Sequence, residues 1–181
     1  MAASARTILE KIAKHHGSRI QEARDYDPNI CSFAHNPKNR AELIAKSGQP
    51  LLRKITLEFK DLRVQLFAND YYLRVMIFGQ LPEVFSLNRI DKIAGLRPAG
   101  ITVISGRVYQ LATQSGSDTS SKGILQTPAF AQMLDAITIG ENESVHLYRN
   151  GIAAYFCLPD PARVELFMEG AVSFFNKLRL R

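Results

Sequence analysis

A chain of 181 residues with 46% hydrophobic and 22% charged side chains is long enough to bury one sizeable core and too apolar to stay disordered. Its longest apolar runs, such as residues 152–158, are far short of the roughly 20 residues of a membrane-spanning helix. Two cysteines, Cys31 and Cys157, are too few for a disulfide framework, so a reducing, cytoplasmic setting is expected.

The N-terminal segment has no apolar run after its positive charges and does not read as a secretory signal. Arg6, Lys11, Lys14 and Arg19 stand there against Glu10 alone, a faint transit-peptide pattern for which a plain amphipathic helix is the better account. The net charge of +6 lies mostly in the first 63 residues, which hold 12 basic and 7 acidic side chains against 11 and 10 in the rest. Without dense basic clusters, such an excess describes a solvated face better than a nucleic-acid site.

Thr7 and Glu10 have the spacing of a capping box, in which hydroxyl and carboxylate satisfy free amides, and predict a first helix over 8–16. Ile8, Leu9, Ile12 and Ala13 give it a narrow apolar stripe, enough for weak docking or fraying, and Gly17 is placed to stop it. Residues 18–36 lose the pattern and read as a loop with a turn at Asp27-Pro28-Asn29.

Three later helices are marked by one device, a side chain that accepts from free amides followed by Pro, whose missing N–H costs nothing in a first turn. Asn36-Pro37 opens a short helix through Leu43 and Ile44, closed by Gly48 and Pro50. Thr127-Pro128 opens a second, with Phe130, Met133, Leu134 and Ile137 on one side. Asp160-Pro161 opens the last, whose stripe of Val164, Phe167, Met168, Ala171, Phe175 and Leu178 is the longest in the chain and lets it lie across a sheet, with Gly170 permitting close approach.

Between the helices the period falls to two. A two-residue turn at Asn69-Asp70 sets Leu66 against Leu73, Val64 against Val75 and Leu62 against Ile77, with Gln65 facing Arg74 behind them. Asn150-Gly151 sets Leu147 against Ala154, Val145 against Phe156 and His146 against Tyr155. A slip of one residue would mix the faces of either hairpin. Further strands are expected over 55–59, 101–104 and 107–113. Residues 79–100, with Pro82, Gly95 and Pro98, read as a connector with room for one helical turn over 90–94, and 114–123 as an exposed flexible loop.

Strands that run in groups, set off from helices, predict an α+β fold: an antiparallel or mixed sheet built from hairpins, helices packed mainly on one face, and a long C-terminal helix. The expected organisation is an N-terminal helix and irregular segment over 1–35, then a single α+β domain over 36–181. That domain contains the order Pro-led helix then hairpin twice, a pseudo-repeat of structure without residue identity.

Chemistry is sparse. Cys31 and His35, with His15 and His16, offer soft ligands but no second pair at a standard spacing, so no metal site and no cofactor is assigned. His146 and Cys157 share a strand face only as diagonal neighbours, without an orienting third group, and read as packing rather than a dyad. Asp25 and Asp27 flank Tyr26 just before Pro28 and read as turn formers rather than cation ligands. Gly116 to Gly123 fails as a phosphate loop, because Ser121 precedes Lys122 and Gly123 follows it. GxGxxG, HExxH and GxSxG are absent, so no catalytic residue is named.

Binding residues are sought on the second faces of the hairpins. One carries Arg63, Phe67, Tyr72, Arg74 and Met76, the other Tyr148, Tyr155 and Cys157, and both are too apolar for a fully wet surface. The leading expectation is a non-catalytic domain that uses this face, or its basic N-terminal segment, to bind a protein partner or a second copy of itself. The alternative is a small-molecule-binding domain or enzyme with a pocket between sheet and helices. A third reading, stacking of RNA or single-stranded DNA on the aromatic and basic residues of the first hairpin, is weaker.

Overall fold

A computed structural model describes residues 4–23, 52–68, 73–81, 85–89, 101–104, 107–113, 127–136, 143–148, 150–156 and 160–179. They form helix α1 (Ala5–His15), strands β1 (Gln21–Ala23), β2 (Leu52–Phe59), β3 (Leu62–Ala68), β4 (Leu73–Phe78), β5 (Phe85–Arg89), β6 (Ile101–Ile104) and β7 (Arg107–Thr113), helix α2 (Pro128–Asp135), strands β8 (Ser144–Tyr148) and β9 (Gly151–Phe156), and helix α3 (Pro161–Arg179). The strands make one sheet in the order β1-β2-β3-β4-β9-β8-β5-β7-β6, and every described pairing is antiparallel. The class is α+β, as the grouping of strands and helices implies.

α1 begins one turn earlier than the Thr7–Glu10 spacing suggests. Ser4 is the N-cap: its Oγ accepts from the Thr7 amide at 3.3 Å, and the two hydroxyls meet at 3.0 Å. The earlier start adds Ala5 to the stripe of Ile8, Leu9, Ile12 and Ala13, and all five are buried in the common core, so α1 is firmly docked. Glu10, released from the capping role, pairs with Arg53 on β2. Gly17 ends the helix at φ +61°, and the Ser18 amide reaches back to the Ala13 carbonyl at 2.8 Å.

The other two helices start where Pro places them. Thr127 Oγ1 accepts from the Phe130 amide at 3.3 Å, and Asp160 Oδ1 from the Ala162 amide at 3.1 Å. The stripe of α3 is wider than expected, with Val172 and Phe174 buried beside the predicted residues. Gly170 does allow a close approach, but to α2: a Cβ there would stand 2.6 Å from Met133 Cα. At the far end of α3, the ring of Phe175 fills the space a side chain at Gly79 would need. Helices expected over 36–44 and 90–94 lie outside the described residues.

Both predicted registers shift by two residues. Leu66 pairs with Val75 and Val64 with Ile77, so the link between β3 and β4 spans four residues. Leu147 pairs with Ile152, Val145 with Ala154 and His146 with Ala153, so β8 ends at Tyr148 and Gly151 is the first residue of β9. A shift of two keeps every side chain on its own face, so the alternation that excludes a slip of one is blind to it. Gly151 is there because β9 lies hard against β4: a Cβ would run into the Ile77 carbonyl.

Two strands appear where loop was expected. β1 is three residues long and exists through its pairing with β2. β5 lies within the presumed connector and bridges β8 to β7, which joins the two groups of strands into one sheet.

One face of the sheet, carrying Ile55, Leu57, Leu62, Val64, Leu66, Leu73, Val75, Ile77, Val145, Leu147, Ile152, Ala154 and Phe156, belongs to the same core as the buried stripes of the helices. The second face is not left for a partner to cover at its centre. Met76 is 5% exposed, Arg74 6% and Tyr155 0%, all within the single chain.

Candidate functional site

Register turns the second face into rows. Lys54 pairs with Phe67, Phe67 with Arg74 and Arg74 with Tyr155, so cation and ring alternate across β2, β3, β4 and β9. The Lys54 ammonium lies 5.6 Å from the Phe67 ring centre, and the Arg74 guanidinium 5.5 Å from Phe67 and 5.8 Å from Tyr155. These separations suit attraction between a cation and the electron-rich face of a ring. Phe67 is thus held between two cations. Two rows along the same face, past Thr56, Gln65, Met76 and Ala153, Glu58 pairs with Arg63, whose guanidinium stands 5.0 Å from the Phe78 ring.

The rows run from wet to dry. Lys54, Phe67 and Phe78 are half-buried and Arg63 is exposed, whereas Arg74 and Tyr155 are buried. Of the residues singled out from sequence, Phe67, Arg74 and Tyr155 are therefore brought together. Arg63 sits two rows away on the same face, Tyr148 is half-buried on β8, and Tyr72 lies outside the described residues. Lys54 and Phe78 were not among the candidates. The two-residue shift puts Phe67, rather than Gln65, opposite Arg74, and only the correct register reveals the row.

A second cluster joins α1 to α3. His15 closes α1 and His16 caps it, while Glu165 stands in the second turn of α3. Glu165 Oε1 is 3.9 Å from His15 Nε2 and 4.0 Å from His16 Nε2. The two imidazoles meet edge to face with centroids 4.9 Å apart, and His16 rests in the same manner on Phe59 at 5.9 Å. One donor atom from each of His15, His16 and Glu165 lies within 4.8 Å of the others, a set of nitrogen and oxygen ligands within reach of one cation. In the sequence the two histidines group with Cys31 and His35, whereas Glu165 is about 150 positions away in the chain and becomes their neighbour only in the fold.

A third polar group is architectural. Arg163 at the start of α3 donates to Glu143 Oε2 at 2.7 Å and to the Ala136 carbonyl at 3.1 Å, with its guanidinium 5.4 Å from the Phe156 ring. Cys31, His35, Asp25, Asp27, Cys157 and Lys122 lie outside the described residues. The strand position of His146 opposite Ala153, instead of Tyr155, removes the pairing on which its proposed neighbourhood rested.

No described helix is long and apolar enough to cross a membrane. No protein-family model and no curated protein matches the chain. Among solved structures it is similar to the crystal structure of the mycobacterial trehalose monomycolate transport factor A, TtfA, with a TM-score of 0.60 and 13% identity over 97% of this chain and 94% of that one. At this identity the likeness is one of fold, and it extends over nearly the full length of both chains.

Proposed function

We propose that the protein is a non-catalytic interaction domain that works in the cytoplasm and grips an acidic, partly apolar segment of a protein partner on the open end of the second sheet face. The observation that carries this reading is the alternating row of Lys54, Phe67, Arg74 and Tyr155. Its buried half anchors the row and its outer half offers Lys54 beside Phe67, while Arg63 beside Phe78, two rows along the same face, adds a second accessible cation next to a half-buried ring. An acidic segment would pair with the cations while its apolar side chains covered the rings. That a protein of the same fold is described as a transport factor favours an accessory role over an enzymatic one. Burial of Arg74 counts against the nucleic-acid reading, because it withdraws one of the first-hairpin groups on which bases would stack.

A photo-crosslinking residue in place of Phe78, introduced into the full chain in its own cells, tests the proposal. The expected result is one reproducible crosslinked protein that is lost when Lys54→Glu and Arg63→Glu are combined, and whose capture weakens at high salt. If the same products appear from a crosslinker placed on the exposed Lys177 of α3, or persist in the double variant, the surface is not a binding site.

A further inference from the structure

We propose that His15, His16 and Glu165 form a three-donor site for a divalent transition metal of the zinc class, which clips the end of α1 to the start of α3. Imidazole nitrogen and carboxylate oxygen are donors that zinc accepts at about 2.0–2.2 Å, and tetrahedral geometry then places neighbouring donors about 3.3 Å apart. Glu165 Oε1 stands at 3.9 and 4.0 Å from the two Nε2 atoms, so these two pairs need close by about 0.6–0.7 Å, and the two imidazole donors, which lie within 4.8 Å of one another, by at most about 1.5 Å. Side-chain rotation supplies that movement, since His15 is 71% exposed and Glu165 40%.

Four further observations point the same way. His16 Nε2 is buried and has no hydrogen-bond partner among the described residues, an arrangement that is costly unless something takes up the nitrogen lone pair or its proton. The ring is braced against Phe59, which fixes its direction toward Glu165. The two histidines stand at the C-terminal end of α1, whose helix dipole favours a cation. One turn further along α3, Glu169 is paired with Lys60, so the nearby lysine has its own carboxylate.

Three protein donors leave a fourth position for water, and the consequence is a metal-dependent reinforcement of the contact between the already docked α1 and α3. The test is isothermal titration of metal-free, full-length protein with Zn²⁺, alongside Glu165→Gln and His15→Gln. Both substitutions fall on exposed or half-exposed side chains, and unchanged circular dichroism of the metal-free variants verifies their fold. The expected result is one equivalent bound, a rise in Tm on adding Zn²⁺, and loss of affinity by about tenfold or more in each variant together with loss of the Tm rise. Absence of binding by the parent protein overturns the proposal. So does binding that survives both substitutions, which would place the metal elsewhere in the chain.

Discussion

Arg163 joins three separated segments through single atoms: its Nε reaches the carbonyl that ends α2, one terminal nitrogen reaches Glu143 ahead of β8, and the guanidinium plane stands near Phe156 of β9. Glu143 is only 4% exposed and Arg163 17%, so the carboxylate has little water to fall back on. Removing one partner should cost about 3 kcal/mol, at the lower end for a buried pair because Arg163 keeps some contact with solvent. In urea unfolding, Glu143→Ala and Arg163→Ala should each lower stability by about that amount, and the double variant by about 1–3 kcal/mol less than their sum. Strict additivity would show that the two side chains do not act together. The pair was invisible in the sequence, where Glu143 follows a stretch without clear pattern and Arg163 reads as one more charge on a helix. Gly170, by contrast, could be read as a site of close packing, but not which element would come close, because contact is set by how α2 and α3 cross.

Among the elements, β5 has the greatest leverage. Leu87 pairs with Val145 on one side and Leu111 on the other, so its strand is hydrogen-bonded along both edges. Proline there would remove a ladder donor in the interior of the sheet. Leu87→Pro should therefore abolish cooperative folding, read as loss of soluble protein or of a sigmoidal thermal transition. Glu22→Pro, in the three-residue edge strand β1, should leave the transition nearly in place. Equal tolerance of both would contradict the assigned strand order.

The helices that begin at Thr127-Pro128 and Asp160-Pro161 were legible because local capping and a one-sided apolar stripe agree there, as were the strands β6 and β7, found at their expected limits. β5 was hidden although Phe85, Ser86, Leu87 and Asn88 alternate, because a five-residue signal between Pro82 and Gly95 is outweighed by its surroundings. Register was half legible. Apolar periodicity determines which face a residue takes, while the choice between registers two apart belongs to turn geometry and to neighbours such as β4, against which Gly151 must fit. The alternating row of cations and rings depends on that second choice, so its members could be suspected singly but not assembled.

Taken as a whole, the sheet has its most protected pairing at its middle, where β4 meets β9 and where Val75, Ile77, Ile152 and Ala154 are all fully buried. Amide hydrogen exchange should reflect this, with β4 and β9 opening only by global unfolding and β1 exchanging by local fraying at much lower free energy. Faster exchange in β4 than in β1 would be inconsistent with the sheet order. The same β4–β9 seam joins segments nearly half the chain apart. During synthesis, β2, β3 and β4 leave the ribosome well before β9 exists, so the edge of β4 that β9 will occupy stays open while the intervening segments are made. Until that strand arrives, the unsatisfied edge is a place where a nascent chain can pair with the wrong neighbour, and chaperone dependence should be greatest for chains halted between β4 and β9.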